Sequence, residues 1–174
     1  MQKPLRSELG FTPLTTPESL RSVREIADEI WPETFQSILS AEQIAYMMEM
    51  MYSPAVMADE LARGVAFILV RADGENAGYL SWSPCPEDPQ TAKLHKVYLR
   101  SRWHRRGIGS AMLQHMIGLC RDRGFGALKL NVNKRNTPAI RAYERNGFRI
   151  VDQVCLDIGG GFVMDDYVMQ IRLK

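Results

Sequence analysis

Hydrophobic positions change their spacing as the chain proceeds. Leu20, Val23, Ala27 and Ile30 recur at helical intervals, which marks one apolar face of a helix. Thr16-Pro17-Glu18 stands before them as a start signal, with Thr as N-cap, Pro in the first turn and an acid near the positive end. Trp31-Pro32 is expected to interrupt this helix, because proline removes a backbone donor. Ser40 to Gln43 has capping-box spacing and opens a second helix. Ser53-Pro54 opens a third, which Gly64 closes.

Beyond Gly64 the pattern becomes that of strands. The run VAFILV at 65–70 is β-rich, a turn falls at Asp73-Gly74, and Gly78 to Trp82 forms the hairpin partner. Pro84, Pro86 and Pro89 mark a loop. Residues 91–99 alternate as a strand. Ile108, Met112, Leu113, Met116, Ile117 and Cys120 then line one face of a helix that Gly124 ends. Residues 127–133 read as a strand and 137–146 as a helix stopped by Gly147. Phe148 to Ile158 and Phe162 to Leu173 form a last strand pair around Gly159-Gly160-Gly161. Helices, a hairpin, strand, helix, strand, helix and two strands make an α+β (mixed α/β) fold, a sheet with helices on its faces.

The length of 174 residues fits a single domain over 1–174. Hydrophobic residues at 45% and charged residues at 24% exclude a disordered chain, a collagen and a disulfide scaffold. The longest apolar run, Val65 to Val70, is far short of the ~20 residues of a membrane span, so no membrane partner is expected. The opening MQKPLRSELG lacks the apolar core of a signal peptide. Cys85, Cys120 and Cys155 are scattered without metal-ligand spacing and read as reduced thiols of a cytoplasmic protein. No metal is expected.

The net charge of +2 is too small to imply a polyanionic partner. Its distribution says more. Residues 100–106, RSRWHRR, hold four Arg, one His and no acid, leaving 18 basic residues against 20 acidic ones elsewhere. This basic loop follows the strand at 91–99 and runs into Gly107-Ile108-Gly109-Ser110 at a helix start. Glycines let backbone amides turn toward a ligand. A helix N-terminus adds unpaired N–H groups and partial positive charge. With Arg105 and Arg106 beside them, these groups suit a pyrophosphate. The alternative is a basic surface loop that happens to precede a Gly-rich helix start. Neither the Walker pattern nor the complete dinucleotide fingerprint is present. A nucleic-acid surface would be broader and carry stacking aromatics, and Trp103 alone qualifies, so no nucleic-acid partner is expected.

Two segments then resemble a known family. AKLHKVYLRSRWHRRGIGSAML at 92–113 is similar to the acetyl-CoA-binding motif of the GNAT superfamily of N-acetyltransferases, which ends in Gln/Arg-x-x-Gly-x-Gly/Ala. NVNKRNTPAIRAYERNGF at 131–148 resembles its second motif through Asn136, Ala139, Tyr143, Gly147 and Phe148. One departure is His104, which stands where the first motif has Gln or Arg; histidine can still donate to a phosphate oxygen. The resemblance implies a twisted, mostly antiparallel sheet with one splayed parallel strand pair and helices on both faces. It also implies acetyl-CoA as acetyl donor and transfer to a primary amine through a tetrahedral intermediate. The strand backbone at Val97, Tyr98 and Leu99 would pair with the pantetheine arm, as a peptide adds to a sheet edge. Amides from Arg105 to Ser110 (Arg105, Arg106, Gly107, Ile108, Gly109, Ser110), with His104 beside them, would hold the pyrophosphate. Asn136 would hydrogen-bond the cofactor, and the Tyr143 hydroxyl would protonate the departing thiolate.

The reaction also needs an oxyanion donor and a proton acceptor for the amine. A backbone N–H between Val97 and Leu99 can serve the first need. For the second, His95 is one candidate; arylalkylamine acetyltransferases place a histidine at the equivalent strand position, in a proton relay. Glu33 after Trp31-Pro32 is the other candidate, and also a candidate substrate contact; a water chain is a further alternative.

Substrate selection in the superfamily falls largely to the first helices and the last strands. Met47, Met48, Met50, Met51 and Met57 in the former either adapt to varied apolar surfaces or pack the core. Asp157, Asp165 and Asp166 in the latter either favour a cationic amine or solvate a hairpin. PETF at 32–35 and the stretch at 159–169 resemble bacterial polyamine and diamine acetyltransferases, which points to a small polyamine-like amine as partner. A catalytically silent CoA-binding module is the alternative. A homodimer through the apolar N-terminal helices is left open, since these helices would equally well cover the sheet.

Overall fold

The computed structural model describes residues 7–174. The reading of MQKPLRSELG falls mostly on residues 1–6, outside the described part. Three helices form where helical spacing and capping place them: α1 (Arg21–Phe35), α2 (Ala41–Tyr52) and α3 (Pro54–Ala62). The Ser40 hydroxyl accepts the Gln43 N–H at 3.1 Å, and that of Ser53 accepts the Val56 N–H at 3.3 Å. The Thr16 hydroxyl accepts the Ser19 N–H at 3.2 Å, but it caps a short 3-10 turn at Glu18–Leu20 that leads into α1.

Pro32 does not break α1, contrary to the expectation from sequence. The helix continues to Phe35, and the Pro32 carbonyl accepts the Gln36 N–H at 3.1 Å. The reason is burial on both sides of the proline. Trp31 and Phe35 are almost fully buried with ring centroids 4.5 Å apart. Burying one such ring contributes about 2–3 kcal/mol, comparable with the cost of an interior proline.

Among the described residues seven strands form one sheet in the order β1-β2-β3-β4-β5-β7-β6. They are β1 (Leu9–Leu14), β2 (Ala66–Ala72), β3 (Glu75–Cys85), β4 (Asp88–Leu99), β5 (Ala127–Asn133), β6 (Arg149–Gly159) and β7 (Phe162–Arg172). Two features differ from the sequence reading. The strand β1 is absent from the sequence reading, since LGFTPL contains Gly and Pro; it lies at the sheet edge, one of the few places in a sheet that accept proline. The proline-marked loop shrinks to a turn at Pro86-Glu87, because Cys85 already pairs with Asp88. Pro84 lies past Trp82, where β3 stops pairing with β2, so its missing N–H has one neighbour fewer to serve.

Among the described residues only β4 and β5 run parallel; every other neighbouring pair is antiparallel. The helix α4 (Ile108–Asp122) joins them and α5 (Thr137–Arg145) follows β5. On one face α1, α2 and α3 set Val23, Ile26, Ile30, Met47 and Met57 against Phe67 and Tyr79. On the other, α4 sets Met112 and Met116 against Leu94 and Leu130, with Ile140 and Tyr143 of α5 packed beside them. The N-terminal helices therefore cover the sheet, and their buried methionines pack its core. Among the described residues no helix is long and apolar enough to cross a membrane.

Candidate active site

The parallel pairing of β4 with β5 lasts only from Thr91/Ala127 to Leu94/Leu130. Past that point β5 continues beside β7, while β4 stays with β3 through Leu99. The two strands diverge, and the β5-facing edge of Val97, Tyr98 and Leu99 has no strand partner. A bulge accompanies the divergence. Ser81 pairs with Lys96 and Trp82 with Leu94, so His95 is the extra residue. Such an insertion increases the local twist and bends the strand. Gly78 permits the close approach of β3 here, because a Cβ at that position would lie 2.3 Å from the Tyr98 carbonyl oxygen.

The chain leaving β4 presents a row of backbone donors. Ala111 N–H makes the first bond of α4, to the Gly107 carbonyl at 3.0 Å. No described group accepts a hydrogen bond from the backbone N–H of Arg105, Arg106, Gly107, Ile108, Gly109 or Ser110. Gly107 has φ of 77° and Arg105 φ of 61°, the second a left-handed conformation that non-glycine residues seldom adopt. A Cβ at Gly107 or Gly109 would meet nothing within 4 Å, so the approach to these amides is open. Alternation of backbone handedness turns successive N–H groups inward, and the start of a 15-residue helix adds its dipole. These residues fit a pyrophosphate.

The basic side chains are less available than the sequence implies. Arg100 lies 2.8 Å from Glu29 of α1 and donates to the Asn76 carbonyl at 2.7 Å. Arg102 pairs with Glu75 at 2.7 Å. Arg106 sits over the Trp103 ring, 5.0 Å from its centroid. Among the described residues Arg105 makes no ion pair. His104 bonds the Leu99 carbonyl through Nε2 at 2.8 Å, which ties this loop to the end of the free edge.

Tyr143 and Asp166 meet the gap from opposite sides of the sheet. Tyr143 belongs to the α4/α5 side, with its ring centroid 6.0 Å from that of Phe148. Its hydroxyl has no hydrogen-bond partner among the described residues, and burial raises its pKa above the ordinary tyrosine value. Asp166 lies on β7 opposite Asn133, three residues past Leu130, where β4 has already left. It shares a strand face with Met164, which packs on the α1–α3 cluster, as does Tyr98. Asp166 is 4% exposed. Burial first, then the Asp165 charge, push its carboxyl up from 3.8 to about 6, against the opposing pull of Lys93 and Lys134. Tyr98 is raised well above its ordinary value by burial, with Tyr52, Tyr143 and Asp166 adding to it.

The remaining candidates are dispersed. His95 is exposed at the bulge, with Nε2 2.7 Å from the Ser83 hydroxyl. Its pKa is pushed down to about 4 by loss of hydration around the ring, then by Lys93 and Lys96, so the ring is neutral at pH 7. Glu33 is exposed on α1 and accepts from the Ser101 hydroxyl at 3.2 Å, beside the far end of the free edge. Asn136 is half-buried at the start of α5 and makes no side-chain cap there. Asp165 pairs with Lys134 at 2.9 Å, and Asp157 accepts the Gly159 N–H at 2.9 Å in the hairpin.

The structure adds groups that the sequence left unnoticed. Arg135, between β5 and α5, donates to the carbonyls of Ile38 at 2.8 Å and Ser37 at 3.3 Å. Tyr46 of α2 donates to the Ile158 carbonyl at 2.6 Å, and Gln43 to that of Val163 at 2.8 Å. These contacts fasten the α1–α2 segment across the gap to the β5 and β6–β7 side. Lys96, 4% exposed, reaches Glu60 of α3 at 3.3 Å. No local signal distinguished these residues from ordinary surface polar groups.

A splayed parallel strand pair, a free strand edge and an amide-lined helix start between them define an acyl-CoA-dependent transferase fold. The acetyltransferase (GNAT) family matches residues 20–148, about three-quarters of the chain, and the protein belongs to that family. It is an N-acetyltransferase, of a family that uses acetyl-CoA. Among its relatives is the spermidine N(1)-acetyltransferase of Thermoplasma acidophilum, 25% identical over 153 residues, which covers 85% of this chain and 91% of that protein. The streptothricin acetyltransferase of Streptomyces lavendulae is 37% identical over 82 residues, covering 47% of this chain and 43% of the other. The crystal structure of PaiA N-acetyltransferase from Thermoplasma acidophilum in complex with coenzyme A shares the fold with a TM-score of 0.76 at 22% identity, covering 94% of this chain and 99% of the other.

Proposed function

We propose that this enzyme acetylates the primary amine of a small, polyamine-like molecule. The observation that carries this reading is the placement of the unpartnered amides of Arg105 to Ser110 at the end of the free β4 edge. Tyr143 and Asp166 stand on opposite faces beyond that edge. In this reading Val97, Tyr98 and Leu99 hold the pantetheine arm by backbone pairing, and one of their N–H groups steadies the oxyanion. The amides from Arg105 to Ser110 take the pyrophosphate, with His104 bracing the loop and Asn136 meeting the cofactor. Tyr143 gives its proton to the sulfur.

The acceptor comes from the α1–α3 face. A cationic amine suits a gap with a buried carboxylate beneath it, and the spermidine-acetylating relative supports a polyamine. Three groups are available near that path to take the amine's proton: His95 and Glu33 at the two ends of the free edge, and Asp166 in the gap.

The test is calorimetric titration with acetyl-CoA, followed by a panel of amines with free-thiol detection. Gly107→Glu should weaken acetyl-CoA binding by roughly 10²–10³-fold. It forces a side chain into a positive-φ position and sets a negative charge among the donors. Equal affinity in the variant would remove the loop from cofactor binding. Binding without turnover of spermidine or any other amine would favour a silent CoA-binding module.

A further inference from the structure

We infer that Asp166 is the proton acceptor for the incoming amine, and that Tyr143 and Asp166 act as an acid and a base on opposite faces of the same gap. The inference rests on the amine-acetylation reading above and assigns a group to its least defined step. The buried carboxylate of Asp166 is an anomaly in the fold. Asp166 is 4% exposed and, among the described residues, no group hydrogen-bonds or ion-pairs with its carboxylate, whose oxygens keep only a narrow contact with solvent. Its neighbour Asp165 is exposed and paired with Lys134 at 2.9 Å. An uncompensated buried charge is costly in a folded protein. A cationic ligand would relieve that cost.

Position agrees with this. Asp166 and Tyr98 occupy the α1–α3 face, whereas Tyr143 belongs to the α4/α5 face, the side on which the anion loop enters α4. A thioester held on the β4 edge would thus meet its departing sulfur's acid from one side and the attacking nitrogen's base from the other. The groups around Asp166 set its proton affinity. They are Asp165 on its own strand, Lys93 and Tyr98 on β4, and Lys134 after β5. Its cross-strand neighbours Asn133 and Val154 are uncharged. A carboxyl raised to about 6 is ionised at neutral pH but basic enough to take a proton. His95 and Glu33 are each bonded to a serine hydroxyl at the ends of the edge.

In the step itself, an ammonium N–H bond breaks and its proton passes to the Asp166 carboxylate, then to solvent. The freed lone pair forms the C–N bond at the thioester carbon. Collapse breaks the C–S bond, and the thiolate takes the Tyr143 proton. The nitrogen's second surplus proton restores Tyr143 through solvent. In total the ammonium loses two protons, one ending on the CoA sulfur and one in solvent.

The experiment compares wild type with Asp166→Asn in three measurements. The first is the pH profile of kcat/KM with spermidine, or with n-butylamine if spermidine is not turned over. The wild type should show an acid limb near pH 6. The variant should lose that limb and fall by at least about 100-fold at pH 7. The second is acetyl-CoA affinity, which should be unchanged. The third needs no substrate. A carboxyl with a raised folded pKa supports the fold below its unfolded pKa and weakens it as pH rises through about 6. Asp166→Asn should therefore raise Tm at pH 8 by roughly 4–8 °C and leave it unchanged at pH 4.

An acid limb that persists in the variant, or a kcat/KM within threefold of wild type, would overturn the assignment. A loss confined to KM would make Asp166 an anchor and would also overturn it. Absence of wild-type turnover on both amines would instead overturn the amine reading, and the role of Asp166 with it.

Discussion

Across the gap, β4 presents backbone and the β5–β7 side presents side chains. The β4 wall is a bare strand edge continued by the N–H groups of Arg105 to Ser110, and its flanking charges are held by protein partners such as Glu29 and Glu75. The opposite side contributes the hydroxyl of Tyr143, the carboxylate of Asp166 and the clamp of Arg135. The proposed roles match this difference: a pantetheine arm and a pyrophosphate suit a repeating set of amides, and a cationic nitrogen of the amine suits a placed carboxylate.

The comparison predicts that damage on the two walls separates into different kinetic constants. The largest expected effect is on Tyr143→Phe. Removal of a positioned acid should lower kcat by about 10²–10⁴-fold with acetyl-CoA affinity retained; an unchanged kcat in steady-state assays would remove Tyr143 from the chemistry. Next is Gly78→Ala, which strikes the backbone wall through a Cβ 2.3 Å from the Tyr98 carbonyl oxygen. It should cost about 2–3 kcal/mol and roughly 5–10 °C in Tm, and weaken acetyl-CoA more than the amine. A variant with wild-type Tm would show that β3 and β4 separate freely there. Smallest is Arg135→Ala, which unfastens Ser37 and Ile38 from the far wall. A threefold to tenfold rise in KM for the amine is expected, about 1 kcal/mol, with acetyl-CoA affinity within twofold. A change in acetyl-CoA affinity of the same size would mean the two walls are not independent.

The two walls also differ in how far the sequence disclosed them. Gly107 and Gly109 at a helix start, after an alternating strand, carry their meaning locally, since a positive φ and open amides follow from neighbouring residues. Hence the Gly-rich helix start with its unpartnered amides was legible, as were its flanking strand and helix. Even there the sequence overstated the charge, because Arg100 and Arg102 find partners in Glu29 and Glu75, distant along the chain. On the other wall Asp157, Asp165 and Asp166 look alike in sequence. One caps a turn, one pairs with lysine and one is buried.

The sequence by itself determined the element order after β1, most helix starts and stops, the family resemblance and the place of the open amides before α4. These depend on spacing, capping and turn chemistry, which act over a few residues. Only the tertiary structure decided that α1 runs through Pro32, since the burial of Trp31 and Phe35 against the sheet outweighs a local penalty. It alone joined β1 to the sheet edge and ended the β4–β5 pairing at Leu94. It alone left Asp166 buried without a partner. Each of these outcomes is set by contacts between segments far apart in the chain, and no local pattern records them.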